Sequence, residues 1–148
     1  MAAHNELGRW GEEVAAQYLI DHGWYVRHVD WRSGHRDIDI VAIDEDMSML
    51  LIVEVKTRTT AVMGDPDVAI DMEKRRNIIA AAGHYVRTYR LENLEVRYDT
   101  ISVVGTPDSG YTVEHKENAF NVADSFLFYE EERKRRLIKY KKRPGNWG

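Results

Sequence analysis

Asp39, Glu54 and Lys56 are the residues whose types and spacing could do chemistry, with Glu12 as a fourth. In Glu54-Val55-Lys56 an acid and an amine stand two positions apart, which in a strand is one face. Asp39 lies fifteen residues before Glu54, on what reads as the preceding strand. Two carboxylates side by side on a half-buried face repel by roughly several kcal/mol unless something compensates. A hard divalent cation does so. Mg²⁺ takes oxygen ligands, often one or two carboxylates with waters and a substrate phosphate, so Asp39 and Glu54 are a sufficient protein share. Lys56 would lie near that phosphate, where it could orient or help deprotonate an attacking water or stabilise charge on phosphorus. A plainer reading has Glu54 and Lys56 exposed on a half-solvated strand, with Asp39 as the cross-strand partner of Lys56. The setting favours chemistry: Leu50, Leu51, Ile52 and Val53 make this a central strand, where two charges are costly without a purpose.

The surrounding pattern supplies elements to hold these groups. Leu7, Gly11, Val14, Ala15 and Tyr18 recur at helical spacing, so residues 5–20 read as an amphipathic helix ended by His22-Gly23. Glu12 borders its apolar stripe and Glu13 faces water. Gly8 and Gly11 each cost about 1 kcal/mol of helix propensity against Ala, which suits a helix that must approach another element closely. Residues 24–31 read as a strand followed by a flexible Arg32-Ser33-Gly34-His35. Residues 36–43 alternate, with Ile38, Ile40 and Ala42 on one face and Asp37, Asp39 and Val41 on the other. A polar turn at Asp44-Glu45-Asp46 leads into a strand over 49–57, forming a hairpin with the strand before it. A second helix is expected over 71–89, with Lys74 on its core-facing stripe and in need of a partner such as Glu12 or the paired carboxylates. Two strands, 95–104 and 111–116, follow, and a basic helix is expected from Asp124. Hairpins together with a helical crossover give an α/β fold with a mixed β-sheet flanked by helices.

The 148 residues fit one compact domain, divided here into a core over 1–122 and a basic helical extension and tail over 123–148. Residues 130–148 hold eight Lys/Arg and three Glu, a net of +5, and leave the rest, with 13 basic and 22 acidic residues, at -9. No apolar stretch approaches the roughly 20 residues of a membrane span, and the N-terminus carries no export signal, so a soluble chain without a membrane partner is expected. Cysteine is absent, which excludes disulfides, thiolate metal sites and cysteine nucleophiles and points to the cytoplasm. There is no Walker loop, dinucleotide-binding glycine motif or nucleophile elbow. Asp37-Ile38-Asp39 resembles a nucleotide-sugar site in isolation, but the 36 residues before it leave no room for the nucleotide domain such transferases need.

Several short motifs in fixed order carry a resemblance. Gly8-Arg9-Trp10-Gly11-Glu12, Asp37-Ile38-Asp39-Ile40-Val41-Ala42 and Val53-Glu54-Val55-Lys56-Thr57-Arg58 are its main segments, followed by Gly64 with Pro66, Lys74 with Ala81-Ala82, Arg97-Tyr98-Asp99 and Ala119-Phe120. Over residues 5–120 the chain resembles the YraN-type family of predicted endonucleases, related to archaeal Holliday-junction resolvases within the PD-(D/E)xK nuclease superfamily. The resemblance implies a restriction-endonuclease-like core and a Mg²⁺- or Mn²⁺-dependent endonuclease acting on DNA, branched DNA included. By residue it implies Asp39 and Glu54 as metal ligands with the Val55 carbonyl, Lys56 as catalytic lysine and Glu12 as a helix-borne acid binding through water or a second metal. Arg36, Arg58 and Lys74 are the candidates for phosphate contacts. Paired cuts need paired sites, which implies a homodimer. Where the family usually reads Gly-Glu this chain has Arg36-Asp37, so the loop before that strand differs. The alternative from another class is a nuclease-fold module that binds nucleic acid or protein without turnover.

Overall fold

In the computed structural model, which describes residues 2–60 and 72–122 together with residue 134, the helical repeat around Leu7 builds α1 (Ala2–Asp21). Its stripe buries Ala15 and Leu19 completely. Gly23, at φ 90°, ends the helix. The amide of Trp24 reaches the carbonyl of Leu19 and that of Gly23 the carbonyl of Ile20, the paired bonds of a Schellman stop. The β-branched and aromatic runs form β1 (Tyr25–Ser33), β2 (Arg36–Ile43) and β3 (Met49–Arg58); α2 (Met72–Tyr89), β4 (Glu95–Thr106) and β5 (Gly110–Phe120) follow.

The five strands lie in chain order in one mixed sheet. Neighbours are antiparallel except β3 and β4, which run parallel with α2 in the connection between them. A parallel return needs a long crossover, and α2 is part of it. On one face Ile40, Ala42, Leu51, Val53, Ile101 and Val103 pack under Ala15 and Leu19 of α1; on the other Trp31, Val41, Leu50 and Ile52 pack under Ile78, Ala81, Ala82 and Tyr85 of α2. Strand β3 is thereby covered on both sides, as its apolar run requires. Among the described residues no helix is long and apolar enough to cross a membrane.

Three local expectations are corrected. Arg32 and Ser33 continue β1, and Gly34-His35 is a two-residue hairpin turn, made possible by φ 63° at Gly34. Ile38 joins the α2-side core with Trp31, away from Ile40 and Ala42. Asp30 of β1, between the pairs Val29↔Ile40 and Trp31↔Ile38, has a left-handed backbone at φ 53°. Strand β5 runs on to Phe120, four residues past its expected end, because Tyr98 of β4 supplies a partner there. The helix expected from Asp124 and the domain assigned to 123–148 lie outside the described residues, apart from Lys134.

Candidate active site

Strands β2 and β3 pair from Ile43↔Leu50 to Ile40↔Val53, whereas β3 continues along β4 to Arg58↔Val104. The next step of the β2–β3 register brings Asp39 opposite Glu54. At this point the Asp39 carboxylate takes over as acceptor: Val55 N–H donates to its Oδ2 at 2.8 Å. The Glu54 carboxyl lies close enough for the two like charges to repel. Burial, followed by the charge of Glu54, pushes the Asp39 carboxyl up to about 8 against the lowering effect of the Val55 amide. Glu54 is itself buried, and Lys74 Nζ of α2 lies 2.7 Å from its Oε1. This is the partner that the core-facing position of Lys74 calls for.

Helix α1 delivers Glu12. Gly11 is buried directly against β3, where a Cβ would overlap the Thr57 side chain, so only glycine lets the helix come this close. The next residue is then half-buried at the cleft wall. Burial, then Asp30, with smaller contributions from Glu54 and Asp37 and against Arg32, raises the Glu12 carboxyl to about 7. Together Leu7, Gly8 and Glu12 of α1, Asp37 and Asp39 of β2, Glu54, Val55 and Thr57 of β3, and Lys74, Asn77 and Ile78 of α2 line a cleft of about 430 Å³. Asp37 and Asn77 also belong to a second cleft of about 500 Å³, lined by Ser33, Gly34, His35, Arg36 and Ala80. The two spaces share a wall, and Arg36 stands in the outer one.

The structure thus brings Glu12, Asp39, Glu54, Val55 and Lys74 into one cleft and puts Arg36 in its neighbour. Lys56 and Arg58 are half-buried further along β3, in register with Ser102 and Val104, and are not among the described residues lining either cleft. Arg75 lies over the Phe120 ring, 5.6 Å from its centroid. Among the described residues no three His, Asp or Glu side chains form a ready metal cluster. The donors present are nevertheless of the kind a hard cation takes: the oxygens of the Asp39 and Glu54 carboxyl groups, with Val55 in the same cleft lining.

A second buried acid carries a full set of partners. Asp99 of β4 is wholly enclosed and receives both Nε and Nη2 of Arg97, at 2.9 and 2.8 Å, His115 Nε2 at 2.7 Å and the Asn118 amide at 2.8 Å. Burial pushes its carboxyl up, but the bonds from His115, Arg97 and Asn118 outweigh this and hold it below the ordinary range. With Nε2 of His115 donating to Asp99, Nδ1 is left to accept from the Tyr18 hydroxyl, 3.2 Å away on α1. This network ties α1 to β4 and β5. Spacing gave no sign of it beyond an acid placed within an apolar strand, and it likewise missed Asn77 and Asp30.

The model of uncharacterised protein family UPF0102 matches residues 11–103. The chain belongs to UPF0102. A UPF0102 protein of Porphyromonas gingivalis is 45% identical over 121 residues, 81% of this chain and 87% of its own length. One of Phocaeicola vulgatus is 46% identical over 120 residues, 81% of this chain and 96% of that protein. One of Flavobacterium psychrophilum is 35% identical over 120 residues, again 81% of this chain and 98% of that protein. The UPF0102 match takes in Glu12, Asp39, Glu54, Val55, Lys56 and Lys74, and every residue lining the cleft except Leu7 and Gly8.

Proposed function

We propose that this chain is a divalent-cation-dependent endonuclease with a restriction-endonuclease-like core, hydrolysing phosphodiester bonds of DNA. The observation that carries this reading is the Asp39–Glu54 pair at the point where β2 leaves β3, in a cleft with Lys74 and Glu12. The YraN-type and PD-(D/E)xK resemblance supports it, and the resolvase relationship extends it to branched DNA and a homodimer. Asp39, Glu54 and the Val55 carbonyl would hold Mg²⁺ or Mn²⁺. When bound, the ion supplies Lewis-acid polarisation of the phosphate and charge compensation.

The chain's own groups do the rest. Lys74, already in the cleft, offers an ammonium to the phosphate oxygens, and Arg36 takes a phosphate further along the strand. Glu12, held near neutrality at about 7, is suited to accept a proton from the attacking water. Lys56 is assigned the orientation of that water, in line with the leaving 3′ oxygen. Water adds to phosphorus, the bond to the 3′ oxygen breaks, and that oxygen takes up a proton, leaving a 5′-phosphate and a 3′-hydroxyl.

A second reading, a nucleic-acid-binding module without turnover, draws on the position of Lys56 outside the described cleft wall. One experiment separates the two. Labelled single-stranded, duplex, flapped and four-way-junction DNA is incubated with Mg²⁺, Mn²⁺ or EDTA and either wild type, Asp39→Ala or Lys56→Ala. Metal-dependent cutting that both substitutions abolish is expected. Tight binding with no cutting of any substrate would overturn the enzyme reading in favour of the module.

A further inference from the structure

Two glycines lie three residues apart on α1, and packing explains only one of them. Gly11 is required by Thr57. At Gly8 a Cβ would meet no heavy atom of the described residues within 4 Å. Gly8 is inside a 20-residue helix, where alanine is the better helix former. It also lines the cleft, one helical turn before Glu12. A helix that gives up propensity at a cleft-lining position where no described side chain packs leaves its backbone open to something that enters the cleft.

We propose that Leu7 and Gly8 form the floor of a subsite for the sugar of the nucleotide next to the scissile phosphate, with the strand passing in van der Waals contact with the α1 backbone. This rests on the nucleic-acid reading of the cleft. Charge decides which part of the nucleotide lies there. The wall beyond Gly8 carries Glu12, Asp39 and Glu54, which repel phosphate, and the ammonium of Lys74 stands on the α2 side. The phosphate therefore belongs toward Lys74 and the acids' cation, and the uncharged sugar against Leu7 and the bare helix. Gly8 and Glu12 are about 6 Å apart along the helix axis, which places the sugar beside the reacting group.

The test compares Gly8→Ala with Gly83→Ala, a change inside α2 whose Cβ would meet only the mobile end of the Arg87 side chain at 3.3 Å. Melting temperature is measured for each full-length variant, and affinity for a labelled single strand and a four-way junction is measured by fluorescence anisotropy in Ca²⁺. Gly8→Ala should raise the midpoint by about 2–6 °C through helix propensity. Its affinity for DNA should nevertheless fall at least about tenfold, the cost expected when overpacking displaces a close contact. Gly83→Ala should leave affinity unchanged. A Gly8→Ala protein that binds as wild type, or that melts lower because the site was packed after all, overturns the subsite. A wild-type chain that binds no DNA removes the nucleic-acid reading itself, a separate and distinguishable failure.

Discussion

Asp39 makes the stability of the folded chain depend on pH. Its native carboxyl is raised from 3.8 to about 8, so the folded protein keeps a proton that the unfolded chain releases near pH 4. The resulting stability is fully present below the unfolded value and is lost as pH rises through about 8; Glu12 adds a smaller change of the same sign through about 7. In chelator, the urea midpoint of the wild type should therefore fall steadily from pH 5 to pH 9. Asparagine at position 39 still accepts from Val55 N–H and can donate toward Glu54 without needing a proton. Asp39→Asn should flatten most of the pH dependence and stabilise the cation-free protein at alkaline pH by on the order of 1–3 kcal/mol. Mn²⁺ should restore stability to wild type and leave the variant unaffected. Denaturation curves that run parallel for the two proteins across pH would refute this account of the acid pair.

The helix–strand contact that positions Glu12 depends on one missing methyl group. Gly11→Ala drives a Cβ into Thr57 and should cost about 1–3 kcal/mol, the usual penalty for overpacking. Thr57→Ala removes the obstructing atoms, so the double variant should recover most of that loss; additive costs in a double-mutant cycle would show that the two positions do not touch. Residue types hinted at this contact only in part: of the two helix glycines that suit a close approach, Gly11 meets Thr57, whereas a Cβ at Gly8 would meet no heavy atom of the described residues within 4 Å. The wheel also separated Glu12, half-buried, from Glu13, exposed. The β2–β3 hairpin was equally readable, since alternation, a polar turn and an apolar run agree. Ile38 was not: alternation put it with Ile40 and Ala42, whereas it packs with Trp31 in the core under α2. Nor was most of the Asp99 network: Arg97 stands two residues away on the same strand, but His115, Asn118 and, through His115, Tyr18 come from β5 and α1 at separations that no local pattern encodes.

At the scale of the molecule, the proposed endonuclease reading asks the chain to bring a polyanion to an acidic cleft. Outside residues 130–148 it carries a net of -9, and Glu12, Asp37, Asp39 and Glu54 all line that cleft. The cation would neutralise the reacting centre but cannot supply long-range attraction through that field, since charges beyond about 8–10 Å are screened at physiological salt. The net +5 of residues 130–148 is the part of the sequence suited to hold DNA. The two contributions are separable by their salt dependence. Replacing Lys139, Lys141, Lys142 and Arg143 together with Gln in the full chain should weaken DNA binding in low salt. It should also reduce the slope of log affinity against log salt by about 0.7–0.9 for each phosphate that the variant leaves without a cationic side chain, while the gain in affinity on adding Ca²⁺ stays as in wild type. Asp39→Asn should show the converse, an unchanged salt slope and no Ca²⁺ increment. If the four-residue variant keeps the wild-type slope, the tail does not touch phosphate, and the attraction must come from basic groups of the core such as Arg36, Arg58 and Lys74.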